Sequence, residues 1–261
     1  MLWERIIRAD DAQAACKALT EAWNHKDNKV FVLRADEDLG NVQSFYDAHF
    51  PHLGTPVALA EDVEVGDRDN QRTGQIWMEV RYDPKHPDAY RHSSNAQPLH
   101  TDGSYIPEFP NATLMACVAN SGTGGETTFI DGEDVVAALK AEAPELLIQL
   151  QGRMLPHARS GDRRDARVID PDGDQPLVNW NYYCVDKDID AEGREIAESF
   201  FAFLANSPTV KERTLAVKLA PGDAITWKDR YVLHGRNGFV ANHESERFLW
   251  KCAIDIGNFN G

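Results

Sequence analysis

The sequence has few cysteines and no long apolar run. Its four cysteines, Cys16, Cys117, Cys184 and Cys252, form no Cys-x-x-Cys pair, which excludes a structural zinc site built from cysteine. We interpret them as reduced, mostly buried thiols, as is typical of a cytoplasmic protein. Because neither an 18-residue apolar span nor a signal-peptide-like apolar segment is present, we expect a soluble, cytoplasmic protein without a membrane span.

Basic residues are scarce relative to acidic ones. With 27 Lys and Arg against 42 Asp and Glu, the formal net charge is −15, which disfavours nucleic acids and anionic membrane surfaces as partners. There is also no internal repeat, low-complexity tract or composition shift that would mark a linker. We therefore expect residues 1–261 to form a single domain that binds a small molecule, either alone or as a homo-oligomer.

The apolar pattern predicts many short strands and a few helices. Helical spacing predicts helices over 11–24, 41–50 and 191–206, and one helix, or two broken at Pro144, over 131–150. Strands are predicted over 29–35, 74–83, 112–120 and 175–185, and in "TLAVKLA", "DAITWKD", "YVLHGRN" and "ERFLWKCAID". This pattern indicates a mainly β protein with flanking helices, either a barrel or a jelly roll.

The motif His-x-Asp raises the question of a metal site. It occurs three times, at His25/Asp27, His86/Asp88 and His100/Asp102. Along a strand, residues i and i+2 point to the same face, so such a pair can direct two ligands at one ion. Two imidazoles and one carboxylate leave open positions that suit non-haem Fe(II) and oxygen chemistry. A single pair, however, is equally compatible with polar residues at a strand end.

Three later features favour the pair His100/Asp102. "GTGGETTFIDG" places Thr127 at the start of a strand, although a plain hairpin turn would have the same sequence. His234 lies in an apolar strand, where a buried core histidine is the alternative. Arg247 follows on what we predict to be the next strand across a tight reversal. A buried arginine there requires an anion, and its forked guanidinium suits a carboxylate.

Taken together, "HTDGSY", "GGETTFIDG" and "PGDAITWKDRYVLHGR…F…ERFLWK" resemble the Fe(II)/2-oxoglutarate-dependent dioxygenases of the taurine dioxygenase and γ-butyrobetaine hydroxylase type. The resemblance covers residues 29–255. It implies a double-stranded β-helix, also called a jelly roll, as the fold. The implied activity is hydroxylation of an unactivated C–H bond, coupled to decarboxylation of 2-oxoglutarate to succinate and CO2 with O2 as the oxidant.

The resemblance also assigns roles to five residues. His100, Asp102 and His234 would bind Fe(II), Thr127 would contact 2-oxoglutarate, and Arg247 would pair with the distal carboxylate of that co-substrate. Because Asp102 is present, the iron keeps its carboxylate ligand and no halide site opens, so hydroxylation is expected rather than halogenation. Desaturation or C–X cleavage after hydroxylation stays open.

The sequence indicates the substrate less directly than it indicates the metal and the co-substrate. Lys251 lies four residues after Arg247 on the same predicted strand face and could bind a substrate carboxylate, assist 2-oxoglutarate or be exposed to solvent. Asn181 matches a substrate-facing position of the γ-butyrobetaine branch, and Tyr105 could line the mouth of the pocket or pack a loop. Residues 91–92 are interpreted as a solvated charge cluster.

A trimethylammonium substrate is not implied, because the sequence has no room or ligands for the N-terminal zinc-binding domain of the γ-butyrobetaine branch. Aromatic walls for such a cation are nevertheless available in Trp77, Tyr90, Tyr105 and Tyr182. We expect instead an amino acid or another small carboxylate-bearing metabolite. The alternatives are a catalytically silent jelly-roll protein that binds a small ligand, and a hydroxylase acting on a protein or peptide.

Overall fold

A computed structural model describes residues 4–35, 39–58, 75–85, 91–120, 122–159 and 161–257. The described chain is mainly β with helices on its flanks, which confirms the fold class predicted from the apolar pattern.

The strands are short, as predicted, and are numbered here in chain order. Within the described residues they are β1 (Glu4–Arg8), β2 (Val30–Arg34), β3 (Gly54–Val57), β4 (Met78–Arg81), β5 (Gln97–His100), β6 (Ala112–Asn120), β7 (Thr123–Gly124), β8 (Thr127–Asp131), β9 (Met154–Arg159), β10 (Asp162–Arg167), β11 (Ile169–Asp170), β12 (Leu177–Val178), β13 (Leu215–Val217), β14 (Ala224–Lys228), β15 (Val232–Arg236), β16 (Phe239–Val240) and β17 (Arg247–Ile256).

The helices of the described residues are α1 (Ala12–Trp23), α2 (Val42–Asp47), α3 (Phe50–Leu53), α4 (Gly132–Glu142), α5 (Pro144–Gly152), α6 (Ala191–Asn206) and α7 (Pro208–Arg213). Helix α6 has the predicted bounds because Asp190 caps its first turn by accepting from the backbone N–H of Gly193. The predicted helical segment 131–150 is broken at Pro144, the second of the two alternatives. Pro144 is the first residue of α5, where its missing N–H costs nothing because the first N–H groups of a helix have no partner within the helix.

Two sheets form the framework. In the larger one the strand order is β1-β2-β14-β6-β17-β3, with β4 also paired to β17, and only β1 and β2 run parallel. The smaller sheet has the antiparallel order β13-β8-β15-β5. The hairpin β9–β10 and the pairs β11–β12 and β7–β16 lie outside both sheets.

An apolar cluster joins the two sheets face to face. It includes Val32, Cys117, Trp227 and Leu249 from the larger sheet and Phe129 from the smaller one, all of them buried. Since successive strand residues point to opposite faces, the odd-numbered residues of β17 from Arg247 to Lys251 face this interior. The interior between the sheets is therefore where side chains from distant parts of the chain meet.

Helices cover the outer face of each sheet. Residues of α1, α2 and α3 pack with the outward side chains of the larger sheet, such as Phe31 and Leu114. Residues of α4, α5, α6 and α7 pack with the outward side chains of the smaller sheet, such as Ile130 and Leu233. The four cysteines are all buried and unpaired, as predicted.

The prediction of a strand over 175–185 is wrong beyond Val178. After β12 the chain forms a short 3-10 turn over Tyr182–Cys184, because the side chain of Asn181 accepts a hydrogen bond from the backbone N–H of Tyr183. Asparagine favours such local bonds over a continued strand. The inference that Asn179, Asn181 and Tyr183 share one strand face therefore fails.

Lys29 forms a buried ion pair that ties β2 to the start of α4. Its ammonium lies 2.6 and 2.7 Å from the two carboxylate oxygens of Asp131 and 3.1 Å from Glu133 Oε2, and its side chain is 1% exposed. Breaking a buried pair by removing one partner leaves an uncompensated charge, which costs about 3–5 kcal/mol.

We therefore expect Lys29→Ala to lower the free energy of unfolding by about 3–5 kcal/mol in urea denaturation. Exposed Lys17 of α1 supplies the matched control, because Lys17→Ala should change that free energy by less than about 0.5 kcal/mol. A loss below about 1 kcal/mol in Lys29→Ala would show that Asp131 finds another partner or is neutral.

Candidate metal centre and co-substrate pocket

Three potential metal ligands converge between the sheets. His100 at the end of β5 pairs in register with His234 of β15, and the centroids of the two rings are 4.2 Å apart. Asp102 Oδ1 lies 3.8 Å from His100 Nε2, and Asp102 Oδ2 lies 3.7 Å from His234 Nε2. Across the described residues, no other group of His, Cys, Asp or Glu side chains is brought together at metal-binding spacing.

Asp102 reaches this point by a different route from the predicted one. Strand β5 ends at His100, and Asp102 lies in the turn that follows, so the two residues do not share a strand face. The turn is held by the backbone N–H of Asp102, which donates to Asp229 Oδ2 at 3.0 Å. Gly103 completes it at φ +57°, and a Cβ atom there would overlap the ring of Phe109.

The surroundings of the three side chains favour the protonation states that metal binding requires. His100 Nδ1 must donate to the carbonyl oxygen of Pro98, 2.9 Å away, which leaves the lone pair on Nε2 facing Asp102. Burial lowers the pKa of both imidazoles. Burial opposes ionisation of Asp102, but Lys251 and the two imidazoles outweigh it and lower the pKa of that carboxyl. Neutral imidazoles and an ionised carboxylate fit Fe(II) in both charge and donor type.

The larger sheet supplies two polar contacts to Asp102. Lys251 Nζ of β17 lies 2.6 Å from Asp102 Oδ2, and the hydroxyl of Thr113 on β6 donates to the same oxygen at 3.0 Å. The Lys251 side chain is only 17% exposed. The interpretation of Lys251 as a solvent-exposed lysine is therefore wrong, and its charge lies at the metal centre.

Arg247 also faces the interior, but from the opposite sheet. It lies on β17 of the larger sheet, whereas β15, which carries His234, belongs to the smaller one. The prediction that Arg247 and His234 lie on neighbouring strands is thus wrong, because the short strand β16 and a 3-10 turn carry the chain across. Arg247 and Lys251 do share one strand face, as predicted, on either side of buried Leu249.

The guanidinium of Arg247 has unused hydrogen-bonding capacity. The residue is 2% exposed, and its Nε and Nη1 atoms are buried without a hydrogen-bond partner among the described residues. Within the same residues only Nη2 donates, to the carbonyl oxygen of Gly125 at 3.4 Å. Burial, together with the nearby Arg236, lowers the pKa of Arg247 to about 9. A buried cation with two unpaired donor atoms is suited to a carboxylate.

A glycine turn lies directly against this guanidinium. Gly125, at φ +75°, lets the Arg247 side chain cross the turn, since a Cβ atom there would lie 3.0 Å from Arg247 Nε. Gly124, at φ +82°, allows a still closer approach of the Gly238 carbonyl, which would lie 2.4 Å from a Cβ atom there. Thr127 is buried at the start of β8, opposite Arg236 of β15. The glycines of "GTGGETT" thus do more than form a hairpin turn.

The other residues considered for the substrate pocket lie elsewhere or serve local structure. Trp77 belongs to the helix-covered outer core, where its indole donates to Asp47, and Tyr182 stacks on Phe201 of α6. These two do not form walls at the metal centre. Tyr105 is buried in the turn region after Asp102, whereas Tyr90 lies outside the described residues.

Three further sequence features can be compared with the structure: His92 and the two other His-x-Asp pairs. His92 is buried and its Nδ1 donates to the carbonyl oxygen of Arg81 at 2.9 Å, so the interpretation of a solvated charge cluster is wrong for this residue. The His25/Asp27 pair lies in the turn region after α1. The His86/Asp88 pair lies outside the described residues.

One functional candidate was missed from the sequence. Asp229 is fully buried and accepts hydrogen bonds from the backbone N–H of Asp102 and from the indole of Trp227. Burial, and next the charge of Asp102, raises the pKa of this carboxyl well above its ordinary value. "TWKDRY" resembles an ordinary strand end followed by a charged turn, and only the three-dimensional structure places this aspartate inside.

Among the helices that the structure describes, none is both long and apolar enough to traverse a lipid bilayer.

Two solved oxygenase structures have the same overall fold. An asparagine oxygenase superimposes with a TM-score of 0.68 at 15% identity, covering 95% of this chain and 82% of that one. The non-heme iron oxygenase OrfP, in complex with Fe and alpha-ketoglutaric acid, gives a TM-score of 0.66 at 14% identity, covering 94% and 81% of the two chains. At these identities the likeness concerns the fold alone.

Sequence comparison identifies the family. The gamma-butyrobetaine dioxygenase of Homo sapiens is 28% identical over 165 residues, which are 58% of this chain and 42% of that relative. The match therefore spans less than half of the relative's length. The model of the family described as "Taurine catabolism dioxygenase TauD, TfdA family" matches residues 57–253, the greater part of the chain. The resemblance seen in the motifs is thus confirmed, and the chain belongs to the TauD/TfdA family.

Proposed function

We propose that this chain is a non-haem Fe(II)/2-oxoglutarate-dependent dioxygenase that hydroxylates a small polar metabolite and converts 2-oxoglutarate to succinate and CO2. The observation that carries the proposal is the pairing of a largely buried His-Asp-His cluster with a buried arginine whose Nε and Nη1 atoms have no hydrogen-bond partner among the described residues. Membership of the TauD/TfdA family and the likeness to gamma-butyrobetaine dioxygenase support it.

In this proposal each residue has a defined task. His100, Asp102 and His234 would hold Fe(II), Arg247 would bind the distal carboxylate of 2-oxoglutarate, and Thr127 would contact the same co-substrate. Iron bound with 2-oxoglutarate supplies the O2 activation that an unactivated C–H bond requires. The chain itself would orient the two co-substrates, keep the site dry and place the substrate.

The charges around the site favour an anionic substrate. Lys251 and Arg247 are cationic, and a divalent metal adds to them, whereas Asp102 and the two carboxylates of 2-oxoglutarate do not fully balance these charges. Unbalanced buried charge is costly, so a substrate carboxylate near Lys251 would be favoured. We therefore propose an amino acid or another carboxylate-bearing metabolite, with Tyr105 and Asn181 as further candidate contacts.

The finer architecture belongs to the same proposal. We take the two facing sheets as the halves of a double-stranded β-helix and residues 29–255 as the core of one catalytic domain. The cytoplasm is the proposed compartment, which the four buried, unpaired cysteines support.

The proposal is tested by anaerobic difference absorption. Fe(II) and 2-oxoglutarate added to the protein should give a weak visible metal-to-ligand charge-transfer band. His100→Ala should abolish this band because the metal loses an imidazole ligand. His52→Ala, a substitution at an exposed histidine of α3, is the matched control and should keep the band.

Turnover separates the remaining alternatives. Succinate release and product mass shift are measured with a library of free amino acids and other carboxylates, and in parallel with peptides. Turnover confined to peptides would favour a protein or peptide hydroxylase. Fe(II) binding with neither a charge-transfer band nor succinate release for any compound would favour a silent binding protein.

A further inference from the structure

Asp229 lies between two of the proposed metal ligands. It begins the 3-10 turn Asp229–Tyr231, which connects β14 to β15, and it is 0% exposed. Its own backbone N–H donates to the carbonyl oxygen of Asn111, which fixes the start of the turn. The chain thus carries a carboxylate directly into the interior, five residues before His234.

Each oxygen of this carboxylate faces a group that belongs to the metal centre or packs against it. Oδ2 accepts from the backbone N–H of Asp102 at 3.0 Å. Oδ1 accepts from Trp227 Nε1 at 3.0 Å and lies 3.6 Å from His234 Nδ1. The Trp227 and His234 rings are 4.7 Å apart. His234 Nδ1 is buried and has no hydrogen-bond partner in the described part of the chain, so Asp229 Oδ1 is the carboxylate oxygen that faces it.

The contacts of Asp229 differ from those of a carboxylate buried for stability alone. Asp131 is equally buried, but it pairs with Lys29 and caps α4. Asp229, by contrast, forms no ion pair with a lysine or arginine of the described residues. Its hydrogen-bond donors are instead the backbone N–H of Asp102 and the Trp227 indole, and the imidazole of His234 faces it at 3.6 Å.

We propose that Asp229 is a positioning residue that orients His234 and Asp102 toward one metal ion. By facing Nδ1, it holds the His234 tautomer in which Nε2 carries the lone pair directed at the metal. By accepting from the Asp102 backbone, it fixes the turn that carries the carboxylate ligand. This inference rests on the proposed metal centre and adds the residue that couples two of its ligands.

The test uses Co(II), whose binding is measured from its visible d–d absorption without turnover. Outer-sphere partners of metal ligands typically contribute 10- to 100-fold in affinity. We therefore expect Asp229→Asn to weaken Co(II) binding by about 10- to 100-fold and to change the shape of the d–d band, because the His234 ring is no longer held.

Asp131→Asn is the matched control, because it makes the same carboxyl-to-amide change at an equally buried aspartate outside the metal centre. It should lower the thermal midpoint of the metal-free protein and leave Co(II) affinity and the d–d band unchanged. Should Asp229→Asn be too unstable to titrate, Asp229→Glu takes its place, since it keeps a carboxyl group but displaces it from His234. Unchanged affinity and an unchanged band in the titrated Asp229 variant would overturn the inference.

A double-mutant cycle tests whether Asp229 acts through His234. In the His234→Ala background, Asp229→Asn should weaken Co(II) binding by clearly less than it does alone, because residues that act through one another are not additive. Full additivity would contradict the positioning role. Failure of the unmutated protein to bind Co(II) would instead refute the proposed metal centre itself, so the two failures are distinguishable.

Discussion

Asp102→Ala is expected to reduce 2-oxoglutarate-dependent succinate formation by about a thousandfold or more, equivalent to about 4 kcal/mol of activation free energy. Asp102 is the only carboxylate of the described metal-binding cluster, so its loss removes the anionic ligand. The substitution also leaves the Lys251 ammonium, which lies 2.6 Å from Asp102 Oδ2, facing a divalent cation without compensation. Ligand loss and charge repulsion therefore act in the same direction.

Two further variants separate these contributions. Thr113→Val removes the hydroxyl that donates to Asp102 Oδ2 but keeps all three ligands, and should lower the rate by less than about tenfold, the loss of one hydrogen bond. Adding Lys251→Met to Asp102→Ala should restore part of the Co(II) affinity by removing the repelling charge. If Asp102→Ala retains more than about a tenth of the rate, the metal is held by other residues.

Structure that depends on local interactions was predictable from the sequence, whereas structure that depends on long-range packing was not. Helix α6 and strand β6 have their predicted bounds because capping and apolar periodicity are local properties. The strands β9 and β10 were not predicted, because "DRRDAR" is almost entirely charged, "MLPHAR" contains a proline, and the hairpin that they form lies outside both main sheets. A strand of this composition does not show the apolar alternation on which the prediction of strands depends.

The residues of the site were recognisable, but the way they converge was not. His100, Asp102 and His234 do come together, yet Asp102 does so through a turn that depends on Asp229, which is distant in the sequence. Arg247 was expected beside His234 but reaches the interior from the other sheet. Long-range packing decides which sheet a strand joins and whether a charged turn is buried. The spacing of residues along the sequence carries no information about that packing.

The sheet arrangement also explains how the charges of the site are divided. The smaller sheet and its adjoining turn carry the metal-binding cluster, while β17 of the larger sheet carries Arg247 and Lys251 on one face. Co-substrate and substrate would thus be held from one side and the metal from the other. Lys251 contacts the metal ligand Asp102, whereas no contact of Arg247 with the three metal ligands is found among the described residues, so a change at Arg247 should affect co-substrate binding without loss of the metal.

Arg247→Ala is expected to weaken 2-oxoglutarate binding by at least about 30-fold. Removing one partner of a buried, hydrogen-bonded charge pair costs about 2–5 kcal/mol, and each 1.4 kcal/mol is tenfold in Kd. The affinity of Arg247→Lys for 2-oxoglutarate should lie between those of the unmutated protein and Arg247→Ala, because lysine keeps the charge but lacks the bidentate fork of the guanidinium. The measurement is titration of 2-oxoglutarate into the Fe(II) protein under anaerobic conditions, followed by the charge-transfer band.

A comparison of 2-oxoglutarate with 2-oxobutyrate tests which end of the co-substrate Arg247 contacts. 2-Oxobutyrate keeps the metal-chelating 2-oxo acid group but lacks the distal carboxylate, so the unmutated protein should bind it much more weakly than 2-oxoglutarate. In Arg247→Ala this preference should nearly disappear, because the lost contact is the one that 2-oxobutyrate never makes. Arg34→Ala, which alters a partly exposed arginine on β2, should keep the preference. Equal weakening of both 2-oxo acids in Arg247→Ala would instead mean that the guanidinium supports the metal end, and that the distal carboxylate is bound elsewhere.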